Sequence, residues 1–519
     1  MPGHNENEIL IMRSAQSKSL MESIIASCAK TPVYADIVSE HLSGRPLPLL
    51  EYNAISDMMD AMGEEVGLLE KPAMVLKTSG STGRPKRLFY SQADIERSAD
   101  AYHALLGQIG INPGMKLWEM SAWVPFISGP LSQAIANRFN TDPDSVLFCP
   151  IIDKEDIIKS FRKVSKAGRS FDVVSMPVLF YYILSQVIEN PDFLKEIVSK
   201  SFNRPLPRPL ISLLARIIGR GISPSSIEES IASTRYVISS AAPLDPYKDI
   251  ITRLFPDAEI IDVWASTENP SMGVRPPGHE GFYLLIENIV PEILPVKEFE
   301  ESLNNPHHQM ITIPMDEWSP GDKGELVISR LGDCLPLLRY RTGDDIEVLK
   351  SFEDDPGMGP FMGRPVVRLL GRTAEKLNFF DPEQWGPYHG DEVHYADIEE
   401  VLSKVDSIRW WELYSTKELP RRLTLTIIPY KGNALNEKEI VTLLLNNINE
   451  ATRVFHIAQA LGEFDLILLP PESFEGVEKD IEKLVKERGA SRVKPRRLFT
   501  MGNINEVEEH LHRKYSRQH

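Results

Sequence analysis

The sequence contains little cysteine and no long hydrophobic run. Its 519 residues include only Cys28, Cys149 and Cys334, which lie far apart and form no CxxC pair. This spacing argues against a disulfide framework and against a cysteine zinc site, and it is typical of a reducing compartment. No run of about 18 apolar residues is present, so we expect no transmembrane helix.

Positive charge is also scarce, because the sequence has 57 basic and 74 acidic residues and a net charge of −17. Such a balance argues against a nucleic-acid-binding surface. The first 14 residues lack the basic and apolar segments of a signal peptide, so we expect a cytoplasmic protein. A chain of this length is too long for one compact core, and two or more domains are expected.

Residues 78–86 are the most informative stretch, and they lie between apolar runs at 73–76 and 88–90. Their chemistry is narrow, with four hydroxyl side chains, two glycines and one lysine. Glycines allow the backbone to approach a ligand closely, while N–H groups, hydroxyls and a cation surround phosphate oxygens. The pattern predicts a strand, a phosphate-binding loop and a second strand. The spacing of a Walker loop is absent.

Downstream, short apolar runs alternate with helix-like stretches. Strands are predicted at 145–148 and 172–175, and helices at 155–167 and 178–189. This alternation indicates an α/β fold with parallel strands. Residues 202–224 are rich in proline and arginine and are interpreted as an insertion or a lid.

Two further motifs carry polar groups at strand ends. Residues 260–268 read IIDVWASTE and end in a turn with an aromatic ring, a hydroxyl and a carboxylate. Carboxylate and phosphate oxygens together suit a hard, octahedral cation. Residues 321–330 and 337–344 read GDKGELVISR and LLRYRTGD, and they predict two more strands.

Together these motifs resemble those of the acyl-adenylate-forming ligases, which include acyl-CoA and aryl-CoA synthetases, peptide-synthetase adenylation domains and luciferases. In that family the loop reads roughly [ST]-S-G-[ST]-T-G-x-P-K, and the later motifs read Y-G-x-T-E, G-E-L-x-[IV] and Y-R-[TS]-G-D. The resemblance covers residues 70–400 clearly and the remainder by architecture. It is closest to the phenylacetate-CoA ligase-like branch.

The resemblance implies an ATP site. Lys86 and the loop would hold the phosphates, Thr267 would reach the α-phosphate, and Glu268 would hold Mg²⁺. Trp264, in place of the usual tyrosine, would stack on adenine, and Asp344 would accept hydrogen bonds from the ribose. Further nucleotide contacts are expected from Thr78, Ser79, Gly80, Ser81, Thr82, Gly83, Ser240, Ala241, Ala242 and Arg372.

The resemblance also implies a pocket for the acid. The aromatic side chains Trp123 and Phe126 lie where aryl-CoA ligases place a substrate-contacting ring, although both could equally be core residues. Ser266, inside the motif at 260–268, is a further candidate for contacting the substrate. The identity of the acid does not follow from these residues.

The resemblance implies a large multi-layer α/β domain over residues 1–370 and a small, mobile α+β lid domain over residues 371–519. The hinge is expected near 371–378, where Ala374 replaces the usual acid and Asn378 the usual lysine. Strands at 423–429 and 465–469 and helices at 434–454 and 474–488 are predicted in the lid. A rotating lid would exclude water from a labile acyl-phosphate.

Ligases of this family carry a C-terminal lysine, in a Gly-Lys context, that contacts the carboxylate and the α-phosphate. Here Gly502 is followed by Asn503, and Lys514 is the candidate for that role. A positioned cation contributes roughly 10²–10³ or more in rate. Its absence would leave a slow adenylating enzyme or one that acts mainly on thioester transfer.

We therefore expect an ATP- and Mg²⁺-dependent, AMP-forming ligase that activates a small carboxylic acid and transfers it to a thiol, with CoA as the expected acceptor. Another acceptor remains open: a carrier-protein thiol, an amine, or the hydroxyl of a deazaflavin cofactor. A second alternative is a non-catalytic nucleotide sensor or scaffold. The sequence does not indicate an oligomeric state.

Overall fold

The structure is a computed structural model. It describes residues 6–63, 67–77, 86–122, 126–142, 144–151, 154–189, 222–240, 244, 247–305, 307–351, 363–372, 377–378, 392–393, 395–402, 404–405, 407–416, 418, 422–446, 455, 458–459, 462–488 and 497–515.

A mixed sheet of 12 strands forms the centre of the larger part of the molecule. Its strands, in chain order, are β3 (Leu117–Ala122), β4 (Val146–Ile151), β5 (Val173–Pro177), β6 (Tyr236–Ser240), β7 (Glu259–Trp264), β8 (Gly273–Arg275), β9 (Phe282–Leu284), β10 (Ile289–Pro295), β11 (Ile313–Pro314), β12 (Lys323–Arg330), β13 (Leu337–Lys350) and β14 (Val366–Arg372). In space they follow the order β11-β10-β12-β13-β14-β9-β8-β7-β6-β5-β3-β4.

One end of this sheet is parallel and the other antiparallel. Strands β7, β6, β5, β3 and β4 run parallel, as expected where helices connect successive strands. In the rest of the sheet, which in space runs from β8 through β9, β14, β13, β12 and β10 to β11, neighbouring strands are antiparallel. The parallel end places the carboxyl ends of several strands at one edge, where ligands bind in α/β folds.

Helices cover both faces of the large sheet and give it two hydrophobic cores. One core contains residues of α1 (Glu6–Lys30), α2 (Ala35–Leu42), α3 (Tyr52–Met62), α4 (Gln92–Gln108) and α5 (Ser128–Phe139). The other contains residues of α6 (Lys154–Ala167), α7 (Val178–Glu189), α8 (Pro224–Ile231) and α9 (Lys248–Leu254). Helix α10 (Val296–Asn304) follows β10.

A separate hairpin, β1 (Met74–Lys77) and β2 (Arg87–Tyr90), pairs antiparallel across the predicted phosphate loop. Helix α4 then begins with a capping box, in which Ser91 and Asp94 hydrogen-bond to each other's backbone N–H groups. The sequence prediction of strand, loop and strand is therefore confirmed at its flanks, whereas residues 78–85 lie outside the described residues.

The C-terminal part has its own four-stranded sheet, in the order β19-β18-β17-β20, and its own core. These strands are β17 (Ile408–Thr416), β18 (Leu423–Pro429), β19 (Phe464–Leu468) and β20 (Leu498–Met501), and a short pair, β15 (Leu377–Asn378) with β16 (Glu392–Val393), precedes them. Its helices are α11 (Tyr395–Leu402), α12 (Glu437–Asn446), α13 (Phe474–Arg488) and α14 (Ile504–Tyr515).

The C-terminal part contacts the larger part through polar side chains. The Tyr182 hydroxyl donates to Glu478 Oε1 at 2.9 Å, and the Tyr430 hydroxyl donates to Asp249 Oδ2 at 2.7 Å. One apolar residue adds to these contacts, because Ile481 packs against the core that contains α6 to α9. None of the described helices is long and apolar enough to cross a membrane.

Candidate functional site

The site is centred on Lys86, which lies between the phosphate loop and strand β2. Its Nζ donates a hydrogen bond to Glu268 Oε1 at 2.8 Å and another to the Tyr340 hydroxyl at 2.8 Å. The Tyr340 hydroxyl in turn donates to Glu268 Oε1 at 3.2 Å. The three side chains come from distant parts of the chain, which the fold brings together.

Glu268 is buried, with only 4% of its surface exposed, yet it stays ionised. Burial on its own would raise the pKa of the carboxyl. The charge and hydrogen bond of Lys86, together with the charge of Arg372, outweigh burial and lower the pKa below its ordinary value. The result is a carboxylate held beside a partly exposed ammonium group, which is suited to metal–phosphate chemistry.

The turn that carries Glu268 is fixed by hydrogen bonds to its backbone. The Tyr90 hydroxyl donates to the Thr267 carbonyl at 2.5 Å and to the Glu268 carbonyl at 3.1 Å. Ser266 accepts at its Oγ from the Asn269 backbone N–H at 3.0 Å. The side chains of Ser266 and Thr267 remain partly exposed, so both can reach a ligand.

Asp344 and Arg372 form the second part of the site. They are opposite each other on β13 and β14, and Arg372 Nε lies 2.9 Å from Asp344 Oδ1. The Arg372 guanidinium also donates to the Thr342 carbonyl at 3.0 Å, and the Asp344 backbone N–H donates to Thr342 Oγ1 at 3.1 Å. Arg372 contributes to the lowered pKa of Glu268, so the two parts of the site interact electrostatically.

The remaining predicted residues are placed as follows. Trp264 is buried at the end of β7 and meets Phe282 edge to face, with ring centroids 5.8 Å apart. Ser240 ends β6 and Phe126 precedes α5, and both are partly exposed. Residues named above but outside the described residues are Thr78, Ser79, Gly80, Ser81, Thr82, Gly83, Trp123, Ala241, Ala242 and Ala374.

Lys514 lies in the interior of the C-terminal part. Its Nζ contacts Glu412 Oε1 at 2.8 Å and Asp480 Oδ2 at 2.9 Å. Burial would lower the pKa of Lys514, but Glu412 and Asp480 more than compensate and raise it. Glu412 is fully buried and also accepts from Trp410, Tyr414 and Tyr515. The structure thus joins Lys514 to a buried network and does not bring it to Lys86.

The residue pair Gly502-Asn503, found where Gly-Lys was expected, immediately precedes α14. The Asn503 Oδ1 accepts from the Glu506 backbone N–H at 3.2 Å, and Glu506 Oε2 accepts from the Gly502 backbone N–H at 2.7 Å. Asparagine is favoured at such a helix start because its side chain satisfies an unpaired backbone donor. Asn503 therefore has a structural reason to be present.

Sequence reasoning missed Tyr340 and Tyr90. Tyr340 lies inside the recognised motif at 337–344, and its position before Arg341-Thr342-Gly343 was a usable signal. Tyr90 ends the apolar run after the phosphate loop and gave no signal beyond strand propensity. Each has a hydroxyl at the end of a buried ring. The Tyr90 hydroxyl binds the backbone of the turn at Glu268, and the Tyr340 hydroxyl binds the Glu268 carboxylate.

No protein-family model matches the chain, and no curated protein matches it significantly in sequence. Solved structures do match. A 2-hydroxyisobutyryl-CoA ligase in the postadenylation state with 2-HIB-AMP aligns over 97% of this chain and 92% of its own, at 14% identity and a TM-score of 0.59. The acyl acid amido synthetase AtGH3.15 in complex with 2,4-DB aligns over 98% and 96%, at 13% identity and a TM-score of 0.64. This chain has the fold of the acyl-adenylate-forming ligases.

Proposed function

We propose that the protein is an ATP-dependent, AMP-forming ligase that activates a small carboxylic acid. The observation that carries the proposal is the contact of Lys86 with Glu268 and Tyr340, directly after a phosphate-loop sequence. A cation, a carboxylate and a hydroxyl at this position are suited to binding a nucleoside triphosphate and its metal ion. The fold, shared with acyl-adenylate-forming ligases over nearly the whole chain, supports the proposal.

In the proposed reaction the acid's carboxylate attacks the α-phosphorus of ATP. The bond to the β-phosphate oxygen breaks, pyrophosphate leaves, and a mixed anhydride of the acid with AMP forms. Lys86 and the loop 78–83 neutralise phosphate charge, and Thr267 contacts the α-phosphate. Asp344 accepts from the ribose hydroxyls, with Arg372 beside it. Positioning and charge neutralisation supply the rate.

Mg²⁺ fits the donor set, because a single carboxylate with phosphate oxygens is a usual magnesium site. Glu268 is the residue that would hold it, since its carboxyl keeps a low pKa in the buried site. The ion, when bound, neutralises charge on the phosphates. Lys86, which contacts the same carboxylate oxygen, would then turn toward the phosphates.

CoA is the acceptor that we propose for the second step. Its thiol would attack the acyl carbonyl, the bond to the AMP phosphate oxygen would break, and AMP would leave. An amine acceptor is the second candidate, and the specific observation in its favour is the similarity to an acyl acid amido synthetase. A carrier-protein thiol would use the same chemistry as CoA.

The test is pyrophosphate release with ATP, Mg²⁺ and a panel of aryl and medium-chain aliphatic acids, with and without CoA or an amino acid. Acid-dependent release supports activation, and AMP release that rises on adding CoA or the amino acid identifies the acceptor class. ATP binding without pyrophosphate release for any acid contradicts the proposal and indicates a nucleotide sensor.

Lys514 is proposed as the cation that contacts the carboxylate and the α-phosphate, although removing it also disturbs the Glu412 network. A double variant separates the two effects. Lys514→Met with Glu412→Gln leaves no buried unpaired carboxylate, so stability is expected to recover. If pyrophosphate release stays low in a stable double variant, Lys514 takes part in the reaction. Release that recovers with stability excludes this role.

A further inference from the structure

Inner strands of the large sheet are incompletely buried on one face. In β5, β6 and β7, residues next to fully buried ones stay partly exposed: Ser175, Ile238, Ser240 and Val263. Ser175 is opposite Ile238, and Ser240 is opposite Val263, so these positions form two adjacent rows. Because alternate residues of a strand point to one face, the openings share the face covered by α4 and α5. These positions mark a candidate cleft toward the carboxyl ends of the strands.

Glu119 lies at the edge of this cleft. It is on β3, opposite Ser175 on β5 and Phe148 on β4, and α5 packs against β3. The side chain is 5% exposed, and the nearby hydroxyls of Ser175 and Ser132 partly offset the effect of burial on the pKa of its carboxyl group. Ser132 is on α5 and, like Ser175, is partly exposed.

A second polar group faces the same region. Ser121 is two residues after Glu119 on β3, and its side chain therefore points to the same face. Its hydroxyl is buried, and within the described part of the chain it has no hydrogen-bond partner. A buried hydroxyl without a partner is rare, and a ligand that enters the cleft is one way to satisfy it.

The surroundings of Glu119 favour a neutral ligand group. Among the described residues no lysine, arginine or histidine forms an ion pair with it, and burial raises the pKa of its carboxyl to about 7. A neutral carboxyl both donates and accepts hydrogen bonds, as does a hydroxyl. Phe148, opposite Glu119 on β4, and Phe126, which precedes α5, are both partly exposed and supply aromatic surface.

We propose that this cleft holds the acyl portion of the acid, and that Glu119 selects acids with a hydroxyl group by hydrogen-bonding to that hydroxyl. The substrate class is thus a hydroxy-substituted carboxylic acid, with Ser121 as a second contact. This inference rests on the proposed acid activation. A site that hydrogen-bonds a substrate hydroxyl rejects the analogue that lacks it, because its own polar groups are then left unpaired.

The experiment compares matched pairs of acids: 4-hydroxyphenylacetate with phenylacetate, 6-hydroxyhexanoate with hexanoate, and 6-aminohexanoate as the cationic analogue. Pyrophosphate release gives kcat/KM, and calorimetric titration gives binding of each acid in the presence of a non-hydrolysable ATP analogue. The variants are Glu119→Leu, Glu119→Gln and Ser121→Ala. Ser239→Ala is the matched control, because Ser239 is equally buried but lies on the opposite face of β6.

We expect the wild type to prefer at least one hydroxylated acid by about tenfold or more. Glu119→Leu should abolish that preference, Glu119→Gln should retain part of it, and Ser239→Ala should retain all of it. Pyrophosphate release without any hydroxyl preference overturns the role of Glu119 and leaves acid activation intact. A preference for 6-aminohexanoate also overturns it.

The two proposals fail differently. Binding that favours a hydroxylated acid and is lost in Glu119→Leu, without any pyrophosphate release, supports the pocket and contradicts the activation step. Glu119→Leu and Glu119→Gln have similar side-chain volumes but differ in polarity. A preference that is lost in Glu119→Leu and partly kept in Glu119→Gln is therefore due to hydrogen bonding and not to a change of volume.

Discussion

The free energy of unfolding of Glu119→Gln, relative to that of the wild type, should be higher at pH 8 than at pH 5. The carboxyl is buried, hydroxyls are its only described polar contacts, and no cation offsets the cost of its charge. Glutamine has the same shape and carries no charge at any pH. The change therefore removes a buried ionisation without opening a cavity.

The magnitude follows from the pKa of Glu119, which burial raises from 4.5 to about 7. The folded protein thus binds this proton more tightly than the unfolded chain. Its contribution to stability is full below pH 4.5 and is lost as the pH rises through 7. At about 1.4 kcal/mol per pKa unit, the loss is about 1 kcal/mol at pH 5 and about 3 kcal/mol at pH 8. Glu119→Gln should therefore gain about 2 kcal/mol between these pH values.

The assay is urea unfolding followed by tryptophan fluorescence, for both proteins at pH 5 and pH 8. The charge of Glu119 also acts on Cys149 and Tyr181. Their pKa values are raised mainly by burial, so neither group titrates between pH 5 and pH 8. Glu325→Gln is the matched control. Glu325 is equally buried but pairs with Arg341 at 2.6 Å, so its variant should be destabilised at pH 8. A pH-independent difference for Glu119→Gln would refute the reasoning.

Three further predictions concern the ATP site and the C-terminal part. Lys86→Met should lower pyrophosphate release by about 10²-fold or more, because a cation at the phosphates is lost, whereas Lys77→Met, an exposed lysine across the same hairpin, should not. Asp344→Asn should weaken ATP binding in calorimetry about 10- to 100-fold, by the loss of charge-assisted hydrogen bonds, and unchanged affinity would contradict the ribose assignment. Lys514→Met should cost about 3–5 kcal/mol in urea unfolding, since Glu412 would remain buried without its cation, and adding Glu412→Gln should restore most of it.

Much of the fold was predictable from local pattern. The strand 423–429 and the helices 178–189 and 474–488 were predicted with the bounds that the structure has. Regular apolar spacing determines such elements without help from the rest of the chain. The predicted helix at 434–454 begins three residues later in the structure, which has a helix over Glu437–Asn446, and residues 447–454 lie outside the described residues.

The site was predictable only in part. The motifs that contain Lys86, Glu268 and Asp344 were recognisable because each has a distinctive composition. That Lys86 and Glu268 belong to one site came from the resemblance, since a separation of 182 residues gives no local signal, and their direct contact was not predicted. The assignment of the domains to residues 1–370 and 371–519 stays a prediction.

Glu119 was missed for a physical reason. A single acidic residue between Trp118 and Met120 has no motif, and strand periodicity says only that it shares a face with Leu117. Its position beside Ser175 and Ser132 depends on the order of the strands and on the packing of α5. Only the tertiary structure brings these three side chains together.

The most direct test of acid activation is the exchange of radiolabelled pyrophosphate into ATP, with Mg²⁺ and an acid but without any acceptor. Exchange requires the mixed anhydride to form and to react back, and it is independent of the identity of the acceptor. The account predicts exchange that depends on the acid and is lost in Lys86→Met. An enzyme that binds ATP but shows no exchange with any acid of the panel would contradict it.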